Sequence, residues 1–80
     1  MTAASHIDRL RNTSGLTSRE LQVLEGVAKG LRNKEIAQLL DISEETIQAH
    51  MKRIFSKLDV HDRTAALAIA ARRGIVHLDD

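Results

Sequence analysis

Helix-start and helix-stop signals recur along this chain and divide its middle into four short segments. The first segment begins with a capping box, Thr17-x-x-Glu20, runs to about Lys29 and ends at Gly30. No proline is present, and residues that favour helix are abundant, whereas alternation of β-branched with polar residues is scarce. We therefore predict an all-α fold: a four-helix bundle with short connections.

The three later segments carry the same kind of signal. Asn33, Ser43 and Asp62 are the predicted N-caps of the second, third and fourth helices. The expected helical residues are 34–40, then 44 to 57 or 58, then 63 to 72 or 73, before Gly74. The second helix is thus short, and the third follows it after a brief turn.

A chain of 80 residues holds one small domain with a thin core. We expect residues 16–76 to form it, residues 1–15 to be a flexible linker or tail with a helical turn near residues 7–11, and residues 77–80 to be a C-terminal tail. Cysteine is absent, which excludes thiol chemistry, and no apolar run approaches the roughly 20 residues of a membrane span. A cytoplasmic protein without membrane contact is expected.

The formal net charge of +1 hides an uneven distribution. Residues 16–45 sum to −2, from four basic and six acidic groups, whereas residues 46–58 carry Lys52, Arg53 and Lys57 with no acid. Residues 63–77 again sum to +3. Any attraction to a polyanion is therefore a local patch on the surface and not a field of the whole molecule.

The second and third helices have the arrangement of a helix-turn-helix unit. Helical geometry places one apolar stripe on the third helix, made of Ile47, Met51, Ile54, Phe55 and Leu58. The opposite side of that helix is polar. One face is thus expected to pack against the domain and the other to be free for recognition.

The polar side of the third helix suits duplex DNA. Gln48 can pair with adenine, Lys52 can reach guanine acceptors, and Ala49 can contact a thymine methyl group. Flanking polar or basic side chains, together with the capped helix starts, suit phosphate oxygens; these are Asn33, Lys34, Ser43, Thr46, His50, Arg53 and Lys57. With a single aromatic residue, Phe55, stacking on single strands is disfavoured.

The same residues also allow an alternative function. A few lysines on a helix often mark only a face that is exposed to solvent. The alternative to DNA binding is a protein-interaction module that acts through the fourth helix. An enzyme is not expected, because no carboxylate pair, Ser-His-acid set or phosphate-cradling glycine loop is evident. The four histidines lack metal-ligand spacing, so neither a metal nor a cofactor is predicted.

The combined motifs resemble the LuxR-type helix-turn-helix domain over residues 16–76. The matching stretches are Leu16-Thr17-Ser18-Arg19-Glu20, Asn33-Lys34-Glu35-Ile36-Ala37, Ser43-Glu44-Glu45-Thr46-Ile47, His50, Lys57-Leu58 and Arg63-Thr64-Ala65-Ala66. This resemblance implies a DNA-binding output module of a bacterial transcription regulator, as in NarL/FixJ-type response regulators and LuxR-type quorum receptors. RNA polymerase and, in a longer parent chain, a receiver domain are further candidate partners.

Carried over by position, the resemblance implies that Gln48, Ala49 and Lys52 face base edges. It also implies that five residues lie near the phosphate backbone: Asn33, Lys34, Thr46, His50 and Arg53. The chain departs from the family at Gln48, where many members have Lys, and at Asp41 and Asp59, where Gly is common. Since Asp tolerates positive φ better than most residues, both turns are expected to survive.

Family members commonly dimerise through the fourth helix. Residues 65–71 are all apolar, more than one face of a thin bundle needs, and the predicted contact set is Ala65, Ala66, Leu67, Ile69 and Ala70. The alternative is that these alanines are present only for their helix propensity. A homodimer on two half-sites of double-stranded DNA is the prediction.

Overall fold

Four helices make up the part of the chain that the structure, a computed structural model, describes, namely residues 15–78. They are α1 Ser18–Ala28, α2 Asn33–Leu40, α3 Glu44–Leu58 and α4 Arg63–Arg72. Their number and order confirm the predicted all-α fold. The predicted helical turn near residues 7–11 and the last two residues of the expected C-terminal tail lie outside the described residues.

Three of the four helix starts are capped by the predicted side chains. The Thr17 hydroxyl accepts from the Glu20 N–H at 3.1 Å, and the Glu20 carboxylate accepts from the Thr17 N–H at 2.9 Å. The Ser43 hydroxyl accepts from the Thr46 N–H at 3.0 Å. The Asp62 carboxylate accepts from the Ala65 N–H at 2.8 Å. Each bond satisfies a backbone donor that the helix itself leaves free.

The start of α2 corrects one prediction. The N-cap is Arg32 and not Asn33, which is the first helical residue. The Glu35 carboxylate accepts from the Arg32 N–H at 2.8 Å, while the Asn33 side-chain oxygen accepts from Arg63 at 2.7 Å. Because its oxygen is bonded to α4, Asn33 does not fold back to cap its own helix.

All four helices end with the same backbone turn. The residue in left-handed conformation has φ of 83° at Gly30, 57° at Asp41, 58° at Asp59 and 74° at Gly74. In each turn the next N–H bonds to the carbonyl five residues earlier: Leu31 to Gly26, Ile42 to Ala37, Val60 to Phe55 and Ile75 to Ala70, at 2.8–3.0 Å. As expected, Asp replaces Gly in the turns on either side of α3 without loss of the turn.

The core is formed mainly where α1 and α2 pack on α3. Its fully buried members are Val23, Leu24, Ile36, Ile47, Ile54, Ala66 and Ala70. The predicted stripe of α3 faces this core, with Phe55 half-buried at its edge. A Cβ added to Gly26 would come within 2.8 Å of the Ile36 side chain, so this glycine permits the close approach of α1 and α2. One face of α3 is thereby held against the domain.

Candidate nucleic-acid interface

A three-residue turn, residues 41–43, joins α2 to α3 and completes the predicted helix-turn-helix unit. Ile47, Met51, Ile54 and Leu58 of α3 are buried at 0–5% exposure. The polar side of the same helix carries no covering element among residues 15–78 over the first nine helical residues, Glu44 to Lys52, which we call the N-terminal half; Gln48 and Lys52 are exposed there. The packing of α3 therefore presents that half to solvent.

The three predicted base-reading residues do not all occupy the same place. Gln48 and Lys52, one helical turn apart, line an open groove of about 450 Å³. The same groove is lined by Asn33, Met51, Phe55, His61, Asp62 and Arg63. Ala49 is half-buried and is not part of this lining. The structure thus brings two predicted base readers together with one predicted phosphate contact, Asn33.

The other predicted phosphate contacts differ in their freedom to bind. Lys34 and Arg53 are exposed. Ser43 and Thr46 are exposed as well, but their hydroxyl oxygens lie 2.8 Å apart and share a hydrogen bond while Ser43 caps α3. His50 is half-buried, and its Nδ1 is buried without a hydrogen-bond partner among the described residues.

Lys57 lies apart from this surface. Its Nζ donates to Glu20 at 2.7 Å, and the Glu20 side chain is 2% exposed. Burial alone would raise the pKa of Glu20, but the hydrogen bonds from Lys57 and Thr17 outweigh it and hold that pKa below its ordinary value. Lys57 therefore joins the C-terminal part of α3 to the start of α1, and a phosphate contact by it stays a prediction.

Sequence reasoning gave no role to the Arg63 side chain. Its Nη1 donates to the Asn33 oxygen and its Nη2 to the Leu31 carbonyl, each at 2.7 Å. Arg63 stands in a motif shared with the LuxR-type domain, which was the only available signal. Its partners are 30 and 32 residues away, and no local pattern identifies them.

The predicted dimer set divides in two. Ala66 and Ala70, both predicted as dimer contacts, are fully buried in the chain's own core. Their small side chains let α4 lie close to the rest of the bundle. Ala65, Leu67 and Ile69 are only half-buried and retain surface. A dimer contact through α4 remains a prediction, carried by these three residues.

Two further properties concern the whole described segment. No helix of residues 15–78 has both the length and the apolar character needed to span a membrane. Within the same residues, no three His, Asp or Glu side chains are grouped so as to hold a metal ion. The observed geometry is that of a helix-turn-helix unit with polar and cationic groups on its exposed helix.

Comparison with known proteins agrees with this geometry. Residues 14–70 match the family described as bacterial regulatory proteins, luxR family. The transcriptional regulatory protein YxjL of Bacillus subtilis is 50% identical over 60 residues, 75% of this chain and 28% of that protein. The nitrate/nitrite response regulator NarP of Escherichia coli is 51% identical over 53 residues, 66% of this chain and 25% of that protein.

Among solved structures, the transcription factor GerE aligns with a TM-score of 0.76 and 33% identity, over 80% of this chain and 96% of that one. The chain thus spans about a quarter of the two curated relatives but nearly all of the GerE chain. Sequence and fold agree with each other over the helix-turn-helix unit. The chain therefore belongs to the luxR family of bacterial regulatory proteins, a family of helix-turn-helix DNA-binding transcription factors and not of enzymes.

Proposed function

We propose that this domain binds duplex DNA sequence-specifically through the N-terminal half of α3, as the output module of a bacterial response regulator. The observation that carries the proposal is the groove in which exposed Gln48 and Lys52 lie beside Asn33. An α-helix fits the major groove of B-DNA, and side chains of these types reach base edges there. The resemblance to NarP supports the response-regulator context.

Phosphate contacts position the helix in this proposal. Lys34 and Arg53 are exposed cations on α2 and α3, and Asn33 stands at the start of α2. Such contacts supply a large share of the affinity without reading sequence. Each neutralised phosphate releases counterions, so binding weakens as the salt concentration rises. Since the net charge is only +1, we expect a small set of phosphate contacts and a moderate salt dependence.

The domain acts as a homodimer on two half-sites, with Ala65, Leu67 and Ile69 of α4 in the contact. These side chains keep part of their surface in the single chain. A twofold-symmetric dimer predicts an inverted repeat in the DNA. The proposed setting is the bacterial cytoplasm, with RNA polymerase and a receiver domain of a longer parent chain as further partners.

Selection of bound duplexes from a random pool tests this function. We expect enrichment of a half-site motif, saturable binding of the selected duplex by fluorescence anisotropy, and weaker binding as salt rises. Lys52→Ala should weaken binding of the selected duplex more than binding of a scrambled one. Arg19→Ala removes an exposed cation from the first turn of α1 and serves as the matched control. Equal binding of all duplexes would contradict the proposal.

Sedimentation of the complex tests the dimer. Leu67→Glu should reduce the stoichiometry from two chains to one per selected duplex. Ala68→Glu adds the same charge at an exposed neighbour outside the predicted contact and should leave the stoichiometry at two. A fall for both variants, or for neither, would argue against the contact through this part of α4.

A further inference from the structure

The Arg63 side chain connects the first turn of α4 to the start of α2. Its Nη1 lies 2.7 Å from the Asn33 oxygen, and its Nη2 lies 2.7 Å from the Leu31 carbonyl oxygen. Arg63 is half-buried and both bonds are short. Two acceptors from one segment thus hold the planar guanidinium in a single orientation.

This arrangement decides which way the Asn33 amide faces. A guanidinium has donors and no acceptor, so the Asn33 atom beside Nη1 must be the carbonyl oxygen. The two N–H donors of the amide are then directed away from Arg63. Arg63 uses one N–H of each terminal nitrogen for an acceptor inside the protein. The Asn33 amide keeps both of its N–H donors without a partner among residues 15–78, which favours Asn33 as the group that reaches outward.

The Asn33 amide lies beside the proposed DNA-reading surface. Asn33 and Arg63 line the same groove as Gln48 and Lys52 of α3. A duplex lying along the exposed half of α3 would therefore bring its backbone close to the start of α2. An amide N–H is a suitable donor to a phosphate oxygen.

We propose that Arg63 is a positioning residue for DNA binding: it fixes the Asn33 amide so that its N–H groups donate to a backbone phosphate. The inference rests on the proposed function, because it assigns a role within the same surface. It adds a residue of α4 to the determinants of affinity for DNA.

Asn33→Asp separates this role from folding. The aspartate keeps an acceptor for Arg63, and a charge-assisted bond replaces a neutral one, so the thermal midpoint should stay the same or rise. The donors are lost, and affinity for a random-sequence duplex of about 20 base pairs, two helical turns, should fall about tenfold or more. Gln38→Glu adds the same charge at an exposed position of α2 and should have a smaller effect.

Arg63→Met and Asn33→Ala, singly and combined, test the coupling between the two side chains. We expect each single variant to lower affinity, and the double variant to lose no more than the larger single loss, since both remove one interaction. The salt slope of Arg63→Met should equal that of the wild type. If Arg63→Met does not fold, Arg63→Lys, which keeps the charge but not the planar fork, replaces it in the double-variant comparison.

Three results would overturn the inference while leaving DNA binding intact. The first is equal affinity of Asn33→Asp and Gln38→Glu for the duplex, and the second is additive losses of binding free energy in the double variant. The third is a salt slope of binding that is smaller by about 0.9 in Arg63→Met, which indicates a direct phosphate contact. Absence of binding by the wild-type chain to random and selected duplexes would instead overturn the proposed function and this inference together.

Discussion

The two ends of α3 use the same residue type in different ways. Lys52 is exposed and has no hydrogen-bond or ion-pair partner among residues 15–78, whereas Lys57, five residues on, lies 2.7 Å from the buried carboxylate of Glu20. One end of the helix is anchored to α1, and the other presents polar groups to solvent. A lysine on a helix-turn-helix domain is therefore not a DNA contact by virtue of its charge alone.

This difference shows how α3 can be held against the domain at one end and remain available for binding at the other. The anchored end combines buried Leu58 with the Lys57–Glu20 pair. The same Glu20 oxygen also accepts from the Thr17 N–H in the capping box of α1. The open end keeps Gln48 and Lys52 without such bonds to any residue in the described range 15–78. A recognition helix held by its far end and by its buried stripe loses little further freedom on binding.

Breaking the anchored end should give the largest effect. Lys57→Ala leaves the buried Glu20 carboxylate without its cationic partner, and we expect a loss of about 2–3 kcal/mol in the free energy of unfolding. The value lies below that of a fully buried pair because the Lys57 side chain is 33% exposed. Urea denaturation measures it. An unchanged stability together with a reduced salt slope for DNA would mean that Lys57 contacts phosphate instead.

At the open end, Lys52→Ala should do the reverse. The free energy of unfolding should change by less than about 0.5 kcal/mol, while binding of the selected duplex weakens by roughly 1–3 kcal/mol. Anisotropy titration and urea denaturation of the same preparation measure the two quantities. An equal loss for selected and scrambled duplexes would make Lys52 a phosphate contact and not a base reader.

Acid should distinguish the two ends further. The pKa of Glu20 is depressed in the folded protein, so its contribution to stability is present above the unfolded value, near 4.5, and is lost as pH falls through the folded value. Lys57→Ala should reduce this acid-dependent part of the stability, and Lys52→Ala should not. Thermal midpoints measured from neutral pH down to pH ~3 check this. Parallel curves for the wild type and Lys57→Ala would contradict it.

The smallest effects are expected at the turns that bound α3. Asp41 and Asp59 both adopt left-handed backbone conformations, so Gly at either position should stabilise the fold by about 0.5 kcal/mol, relief of strain being partly offset by chain entropy. Asp41→Gly removes a negative charge from the turn that leads into the N-terminal half of α3, whereas Asp59→Gly removes one from the turn after its C-terminal end. We expect only Asp41→Gly to strengthen binding at low salt, by about twofold. Equal effects of both variants on binding would contradict the division of α3 into two ends.

The local features of the fold were predictable, and the long-range ones were not. Caps at Thr17, Ser43 and Asp62 and the left-handed turns at Asp41 and Asp59 depend on a few consecutive residues, which is why their patterns indicate them. The Lys57–Glu20 bond joins residues 37 apart in the chain, and no periodicity encodes such a contact.

One prediction failed because a distant partner competes with a local preference. Asn33 has the side chain of a good N-cap, but Arg63 takes its oxygen and Arg32 becomes the cap. In α4 the run of apolar residues gives no periodicity, so the sequence did not indicate that Ala66 and Ala70 face the chain's own core. Which side of such a helix faces the core is set by packing alone.

The most direct test is amide chemical-shift mapping of the ¹⁵N-labelled chain during titration with the selected duplex. The largest shifts should lie at the start of α2 and in the N-terminal half of α3, around Asn33, Gln48 and Lys52, with small shifts near Lys57. Shifts concentrated at the C-terminal end of α3, with Gln48 and Lys52 unaffected, would contradict the assignment of the open end of α3 as the DNA-reading surface.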